Sequence, residues 1–405
     1  MIKKFIQTKT VKNFSIAMVW INGGSSLDLE GKKGINKLLF SLLGRGCKGF
    51  KNFEFSDHID SYGAELNLET VEDGMFVTLK SLNEHFYKLL PLLDLMMNKP
   101  LLLNSQLQKV KKNTINSIKK DKENPFNIAF EQWRKLVYFK HPYAYNPSGY
   151  EEDISKISHD DILSEYEKFK NRNKYLMSNN SIINHKQFEL FNNEIHEKKY
   201  NLIQLDRKSI NRYASTHGES NQIILIIGDQ TCSQPSHEYL PLKLLEAHLS
   251  YGMSSVLFKL FREKNGLTYD VGVINPFRKQ NSPFLIYLSV SNKNALLAFK
   301  ILMKLWKKLV SNLIDEKEIN LARIKLKSSF LISNQTLDEI LHRRLQLIGY
   351  NLDPNFDKNC LNKIEEIKPE DILKITNKYL SKPCLSIYGN EKICNKINEI
   401  WVKNF

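Results

Sequence analysis

Thirteen residues from Ile157 to Phe169 recur in outline from Ile367 to Tyr379, 210 positions later. A repeat at that distance constrains the architecture more than any single motif, because each half has to fold into the same unit and bury its own core. Ile157-Ser-His-Asp-Asp161-Ile162-Leu163-Ser-Glu-Tyr-Glu-Lys-Phe169 and Ile367-Lys-Pro-Glu-Asp371-Ile372-Leu373-Lys-Ile-Thr-Asn-Lys-Tyr379 both open on helix-start residues. Both then place acids in the first turn and apolar residues at helical spacing. The same offset aligns Lys174–Asn180 with Cys384–Asn390, each reading as a strand and a turn. Helices are expected to follow at 185–197 and 391–402.

The openings of the halves correspond as well. A strand at 15–21, a Gly/Ser/Asp loop and an apolar helix at 34–43 parallel a strand at 222–227, a Pro/Ser loop and a helix at 240–249. Hairpin strands are expected at 64–68 with 75–82 and at 267–274 with 283–291. Long amphipathic helices are expected at 83–97, 105–121, 293–313 and 315–349. The fold class is therefore α+β, two homologous domains, each a mainly antiparallel sheet with helices packed on one face. The N-terminal domain is expected at 1–198, a polar linker at 199–220 and the C-terminal domain at 221–405.

Composition narrows the function. The chain has 405 residues, enough for two to three domains, and no run of apolar residues long enough to span a membrane. Its N-terminus turns polar after Lys3 and Lys4 without a secretory core, so the expected compartment is the cytoplasm. The five cysteines, Cys47, Cys232, Cys360, Cys384 and Cys394, form no C-x-x-C pair and read as reduced packing residues. The net charge of +15 is carried mostly by scattered lysines without an Arg-rich tract or RNP-like motif, so no nucleic-acid partner is expected. An acidic substrate or partner protein remains compatible with it. Elbow, Walker and G-x-G-x-x-G motifs are absent, and His58 and His85 have no metal-ligand spacing.

The sharpest local feature is Tyr251-Gly-Met-Ser-Ser-Val-Leu-Phe-Lys-Leu-Phe-Arg262-Glu-Lys-Asn-Gly-Leu-Thr-Tyr269, a capped helix ending at Asn265-Gly266 and leading directly into a strand. Taken alone, Arg262 could serve the last helical carbonyls with Glu263 or Asp270 nearby, and Tyr269 could pack on the core. The segment resembles the insulinase/pitrilysin family of zinc metallopeptidases, in particular its processing-peptidase branch, whose second domain carries the same Arg and Tyr spacing. Asn22-Gly-Gly-Ser-Ser26 resembles that family's strand-end loop, and Gly34-Ile35 the start of its inverted zinc helix. His141-Pro-Tyr143 with Gly149 resembles its mid-domain turn, and Ser158 to Tyr166 the helix that follows. The duplicated α+β architecture agrees with the resemblance. His141 itself reads as a turn residue hydrogen-bonded locally.

The departures from the family pattern bear on chemistry. Where the resemblance implies H-x-x-E-H and, about 76 residues on, a glutamate, this chain has Lys37, Phe40, Ser41 and Ser117. A lysine is protonated at neutral pH, a phenylalanine is no base and a serine hydroxyl is a poor zinc ligand, so no metal is expected on this chain. Lys37 could fill the vacated position and pair with an acid such as Glu72.

The resemblance implies a four-domain chamber built from two half-size subunits, one of them zinc-free. It casts this chain as the non-zinc-binding member of a heterodimeric peptidase. A homologous zinc-bearing subunit would supply the H-x-x-E-H motif and the zinc. Arg262 and Tyr269 would contribute peptide binding and oxyanion stabilisation in trans, and the substrate would be a peptide or unfolded protein. The alternative is a catalytically inactive scaffold or peptide-binding protein of the same fold. A homodimeric active peptidase conflicts with the four replaced positions.

Overall fold

The computed structural model describes residues 2–7, 13–180 and 211–404, without the side chains of 2–7, Asn52 and Tyr269. The chain divides into two units that are not continuous in sequence. The first comprises Met1–Lys120, Tyr145–Asn201 and Gln335–Pro354; the second comprises Asp121–Ala144, Leu202–Asn334 and Asn355–Phe405.

The first unit contains strands β1 (Ile2–Gln7), β2 (Phe14–Asn22), β3 (Glu65–Thr70), β4 (Gly74–Leu82) and β5 (Lys174–Ser178). Its helices are α1 (Ile35–Leu43), α2 (Asn52–Ser61), α3 (Asn83–Asn98), α4 (Asn104–Asp121), α6 (Glu151–Lys156), α7 (His159–Lys170) and α11 (Leu337–Gly349). The second unit contains β6 (Tyr213–His217), β7 (Gln222–Gln230), β8 (Thr268–Ile274), β9 (Pro283–Ser291) and β10 (Cys384–Gly389). Its helices are α5 (Pro125–Val137), α8 (Tyr239–Ser250), α9 (Ala295–Ser311), α10 (Glu316–Ile332), α12 (Phe356–Asn362), α13 (Pro369–Leu380) and α14 (Glu391–Val402).

The two sheets have one topology. Their strand orders are β1-β5-β2-β4-β3 and β6-β10-β7-β9-β8. In each, the outer pair β1/β5 or β6/β10 is parallel and every other pairing is antiparallel. The expected duplication is thus present in the strand order itself. The repeated helices α7 and α13 begin at His159 and Pro369 and end at Lys170 and Leu380, keeping the 210-residue offset at both ends. Local capping explains why. Ser158 and Asp161 form a reciprocal box with bonds of 2.9 and 3.1 Å, and Asp371 accepts the Lys368 N–H at 2.9 Å.

The core of each unit lies between its sheet and the main helical layer. Ala17, Val19 and Ile21 of β2 pack with α1, α3 and α7, and Ile223, Leu225 and Ile227 of β7 pack with α8, α9 and α13. The opposite sheet face is covered too, by one helix in each unit: α11 packs on β2 and β5, and α5 on β10, β7 and β6. The expectation of helices on one face therefore holds for the main layer and is extended by this single helix. Trp20 of β2 is fully buried beneath α11, between Gly349 and Gly74. In the second unit Ser386 donates to the Ala129 carbonyl of α5 at 2.8 Å.

These covering helices correct the expected domain limits. Residues 121–144, expected in the N-terminal domain, belong to the second unit, and 335–354, expected in the C-terminal domain, belong to the first. The physical reason is the pattern of β2 and β7, which are buried on nearly every residue and need cover on both faces. The single helix expected at 315–349 is two, broken before Thr336, whose hydroxyl caps α11. The expected linker 199–220 contains β6, which pairs with β10. Residues 199–210 and the helix expected at 185–197 lie outside the described residues.

Candidate functional site

In the first unit the degenerate helix α1 is held at its N-terminus by a buried carboxylate. Asp28 accepts the N–H of Gly34 at 2.6 Å and, on its other oxygen, the N–H and side-chain amide of Asn36 at 3.1 and 2.7 Å. Burial dominates its ionisation and pushes Asp28 up to about 6, against those bonds and the charge of Lys33. Gly34 has φ 95° and meets Gly149 so closely that a Cβ on Gly149 would lie 2.1 Å from the Lys33 carbonyl oxygen. The Gly34 and Gly149 positions noted in the sequence are thus one backbone contact. The Asn22–Ser26 loop lies along 71–73, with Ser25 and Ser26 N–H donating to the Val71 and Glu72 carbonyls.

Along α1, Phe40 is 1% exposed and belongs to the core, while Lys37 and Ser41 are half-buried. Ser117 is exposed; the residues that α4 turns inward are Leu107, Val110, Thr114 and Ile118. An amine, a phenyl ring and two hydroxyls do not make a zinc site. Among the described residues no three His, Cys, Asp or Glu side chains form a group able to hold a metal ion. Lys37 favours the charged form of the Glu69 carboxylate. Its ionisation is held below the usual range first by the neighbouring His342 and then by the charge of Lys37, against burial. His342 lies 3.7 Å from Glu69 and stacks on Phe76.

His141 is 1% exposed within the second unit. Its Nδ1 accepts the Tyr143 N–H at 3.1 Å and its Nε2 meets Gln280 at 2.6 Å, the local turn role expected of it. Burial above all, with Arg278, holds its pKa below the usual value despite Gln280.

The Arg262 and Tyr269 segment is built on two irregularities. After Ser255 the chain makes a short helical turn and then a π-helix, Phe258–Glu263, closed by Lys264 N–H to the Lys259 carbonyl at 2.9 Å. Such widened turns recur at functional positions because they rotate side chains off the α-helical register. Arg262 is exposed and its guanidinium lies 4.9 Å from the ring centre of Phe258. Phe258 in turn lines a cavity of about 280 Å³ with Ser250, Met253, Ser255 and Val271.

Tyr269 stands at a break in register. Thr268 pairs with Val290 and Asp270 with Ser289, so β8 carries Tyr269 as an extra residue on the edge of its sheet. The Thr268 hydroxyl bonds both sides of this bulge, accepting the Asp270 N–H at 3.0 Å. The loop before the π-helix is tied down by Glu246, a residue that the motif spacing did not single out. Its carboxylate takes Lys243 at 2.7 Å, Asn275 at 3.1 Å and the Tyr251 hydroxyl at 3.2 Å. An acid six residues before Gly252 on an apolar helix was the available signal. The structure thus keeps Arg262 and Tyr269 on consecutive elements of one unit.

Comparison with known proteins agrees with this construction. The profile described as insulinase (peptidase family M16) matches residues 4–146, and that of the peptidase M16 inactive domain matches 158–326. An uncharacterized zinc protease of Rickettsia felis is 23% identical over 367 residues, covering 88% of each chain. A non-peptidase homolog, YmxG, of Helicobacter pylori is 22% identical over 86% of this chain and 82% of its own. The crystal structure of a protease from Helicobacter pylori superposes with a TM-score of 0.83 at 19% identity, covering 95% of this chain and 96% of that one, and so shares the fold.

Proposed function

Because the chain belongs to peptidase family M16, the insulinase family, we propose that it is a non-catalytic member of that family that acts on peptides together with a zinc-bearing homologue. The observation that supports this reading is the contrast between the two motifs. The positions that would hold zinc carry Lys37, Phe40 and Ser41, while Arg262 is exposed on a π-helix and Tyr269 sits on a β-bulge. Both irregularities are departures from the most stable local geometry, and side chains that only packed or only solvated the surface would not require them.

In this reading the partner supplies the metal, the activated water and the general base. Arg262 offers paired N–H donors to a peptide carbonyl or carboxylate, and the Tyr269 phenol donates to the oxyanion that develops on the scissile carbonyl. Such a donor acts mainly in the transition state, so its removal lowers turnover more than it weakens substrate binding.

Co-expression with an H-x-x-E-H homologue of the same cell, followed by size-exclusion chromatography, zinc analysis and cleavage of a fluorogenic peptide, tests it. The expected result is a one-to-one complex with about one zinc, in which Tyr269→Phe cuts the rate about a hundredfold with zinc retained. A complex whose rate ignores both Arg262→Ala and Tyr269→Phe would show that the chain is a scaffold.

A further inference from the structure

Two stretches of the chain carry no acid, and the first unit brings them onto one surface. No Asp or Glu occurs from Gly31 to Phe53, and none from Leu95 to Lys120, although both stretches are rich in lysine. Each passes through a loop, one between α1 and α2 and one between α3 and α4, and the loops are joined backbone to backbone. Lys48 N–H donates to the Lys99 carbonyl at 2.8 Å, Leu101 N–H donates to the Gly46 carbonyl at 3.1 Å, and Cys47 pairs with Pro100. Apolar side chains stand out from this surface. Phe53 at the start of α2 is 72% exposed, and Leu101 and Leu103 are 36% and 42% exposed. Backbone geometry sorts the leucine run: Leu102 has φ 44° and turns into the core, its carbonyl held by His159 Nε2 at 2.6 Å, which leaves its two neighbours in solvent. A left-handed backbone is costly for a leucine, so this outward display is not the relaxed form of the turn.

The same surface is cationic. Arg45, Lys48, Lys51, Lys99 and Lys109 are all exposed on the two loops and the start of α4, and Lys109 Nζ lies 6.0 Å from the ring centre of Phe53. Arg45, Lys48, Lys51 and Lys109 have no acidic partner among the described residues. The acids of the adjoining elements are Glu54, Asp57 and Asp60 of α2 and Asp160 beside His159, while Asp161 is taken by Lys32. Glu54 accepts the Lys51 N–H at 2.8 Å. Counted over both loops, all of α2 and the first half of α4, seven basic side chains stand against those four acids. Three apolar side chains interleaved with amines offer a protein partner little contiguous surface. A bilayer interface accepts each of them singly, the apolar groups entering between headgroups while the amines stay at the phosphates.

We propose that this surface of the first unit docks on a lipid bilayer rich in anionic phospholipid, with Phe53, Leu101 and Leu103 entering between the headgroups and Lys48, Lys51, Lys99 and Lys109 meeting the phosphates. The chain lies on the membrane in this proposal and does not cross it: among the described residues no helix is long and apolar enough to do so. The surface is separate from the trans-acting role proposed above, since Arg262 and Tyr269 belong to the other unit. The apolar side chains and the lysines act together, because either contribution alone gives only marginal, reversible binding.

Trp20, Trp133, Trp306 and Trp401 are all buried, so a Phe53→Trp substitution at an exposed position reports its own surroundings. The whole chain carrying Phe53→Trp would be mixed with vesicles of phosphatidylcholine alone, or of phosphatidylcholine with about one-third phosphatidylglycerol. Binding is followed by sedimentation and by tryptophan emission. Half-complete binding to the anionic vesicles is expected at about 0.1–1 mM lipid, with a blue shift in emission, and binding to the neutral vesicles about tenfold weaker or less. Raising the salt from about 0.1 M to 1 M shortens the screening length about threefold and is expected to release most of the bound chain. Lys48→Glu/Lys99→Glu and, separately, Phe53→Ser/Leu103→Ser are each expected to lower affinity about tenfold. Lys392→Glu/Lys396→Glu changes the net charge equally at exposed positions of α14 in the second unit, and is expected to leave binding unchanged. Folding of each variant is checked by circular dichroism. No binding to anionic vesicles, or binding without a blue shift, overturns the proposal before any charge variant is made. So does an equal loss in the α14 pair, which would assign the attraction to the +15 charge of the whole chain. Binding to polyglutamate as tight as to anionic vesicles would assign the surface to an acidic protein instead.

Discussion

The hydroxyl of Thr268 accepts the backbone N–H of Asp270 at 3.0 Å, across Tyr269, the one residue that β8 carries in excess of β9. The same hydroxyl also lies 2.9 Å from the Asp270 carbonyl and bonds the Ser289 carbonyl of the neighbouring strand. Thr268 is 5% exposed, so these groups cannot turn to water if the hydroxyl is removed. Thr268→Val keeps the shape and deletes the bonds, and is expected to cost about 1–3 kcal/mol in urea denaturation. Thr268→Ser restores the hydroxyl and is expected to recover most of that loss. Equal stability of the two variants would mean that the bulge is held by other contacts.

Arg262 separates stability from function. Its side chain is exposed, and its contact with the ring of Phe258 is an arrangement worth at most about 1 kcal/mol at the surface. Arg262→Ala is therefore expected to unfold within about 1 kcal/mol of the parent chain while depressing peptide cleavage by the assembled pair. Substitution by Lys, which keeps the charge but loses the planar fork, is expected to recover little of the rate. A large loss of stability in Arg262→Ala would assign the residue to the structure of the π-helix instead.

Gly349 ends α11 directly over the indole of Trp20. A Cβ placed there would lie 2.0 Å from Trp20 Nε1, and one on Gly74 would lie 2.1 Å from Trp20 Cζ2. Trp20 is 0% exposed and donates to Asn22 at 2.6 Å, so the ring has nowhere to move. Gly349→Ala is expected to cost about 1–3 kcal/mol, the range for overpacking a dense core, with a shift in tryptophan fluorescence. An unchanged denaturation midpoint would show that α11 can lift from β2 at no cost.

What could be read from the sequence and what could not divide along one line. Helix and strand limits fixed by neighbours in the chain were legible: the Ser158/Asp161 box starts α7, and Asp371 starts α13 in the same way. The Arg262 and Tyr269 spacing was legible as a motif. The π-helix and the bulge after it were not: the bulge exists only in the register between β8 and β9, and no residue of the segment signals a widened turn. The assignment of α5 to the second unit rests on contacts such as Ser386 with Ala129, 257 residues apart. The unbroken run Ile223-Ile-Leu-Ile-Ile227 was its one sequence trace, since a strand covered on a single face would alternate. Asp28 was overlooked because a lone acid six residues before Gly34 resembles any loop carboxylate until its burial is known.

That burial gives Asp28 a pH signature opposite to the usual one for a carboxylate. Its pKa is raised to about 6 in the folded chain from a reference of 3.8, chiefly because desolvation outweighs its three hydrogen bonds. Between those two values the folded state holds the proton more tightly than the unfolded state, so stability falls as pH rises through this window. The ionised Asp28 is thus a cost fully present above about pH 6 and absent below the reference value. Its size is on the order of 3 kcal/mol by linkage. Asp28→Asn keeps one acceptor oxygen near Gly34 and Asn36 and removes the titration. Urea denaturation at pH 4.5 and 7.5 is expected to show the parent chain gaining about 2 kcal/mol over Asp28→Asn on acidification. Parallel pH dependence in the two proteins would mean that Asp28 stays ionised in the fold and that solvent reaches the start of α1.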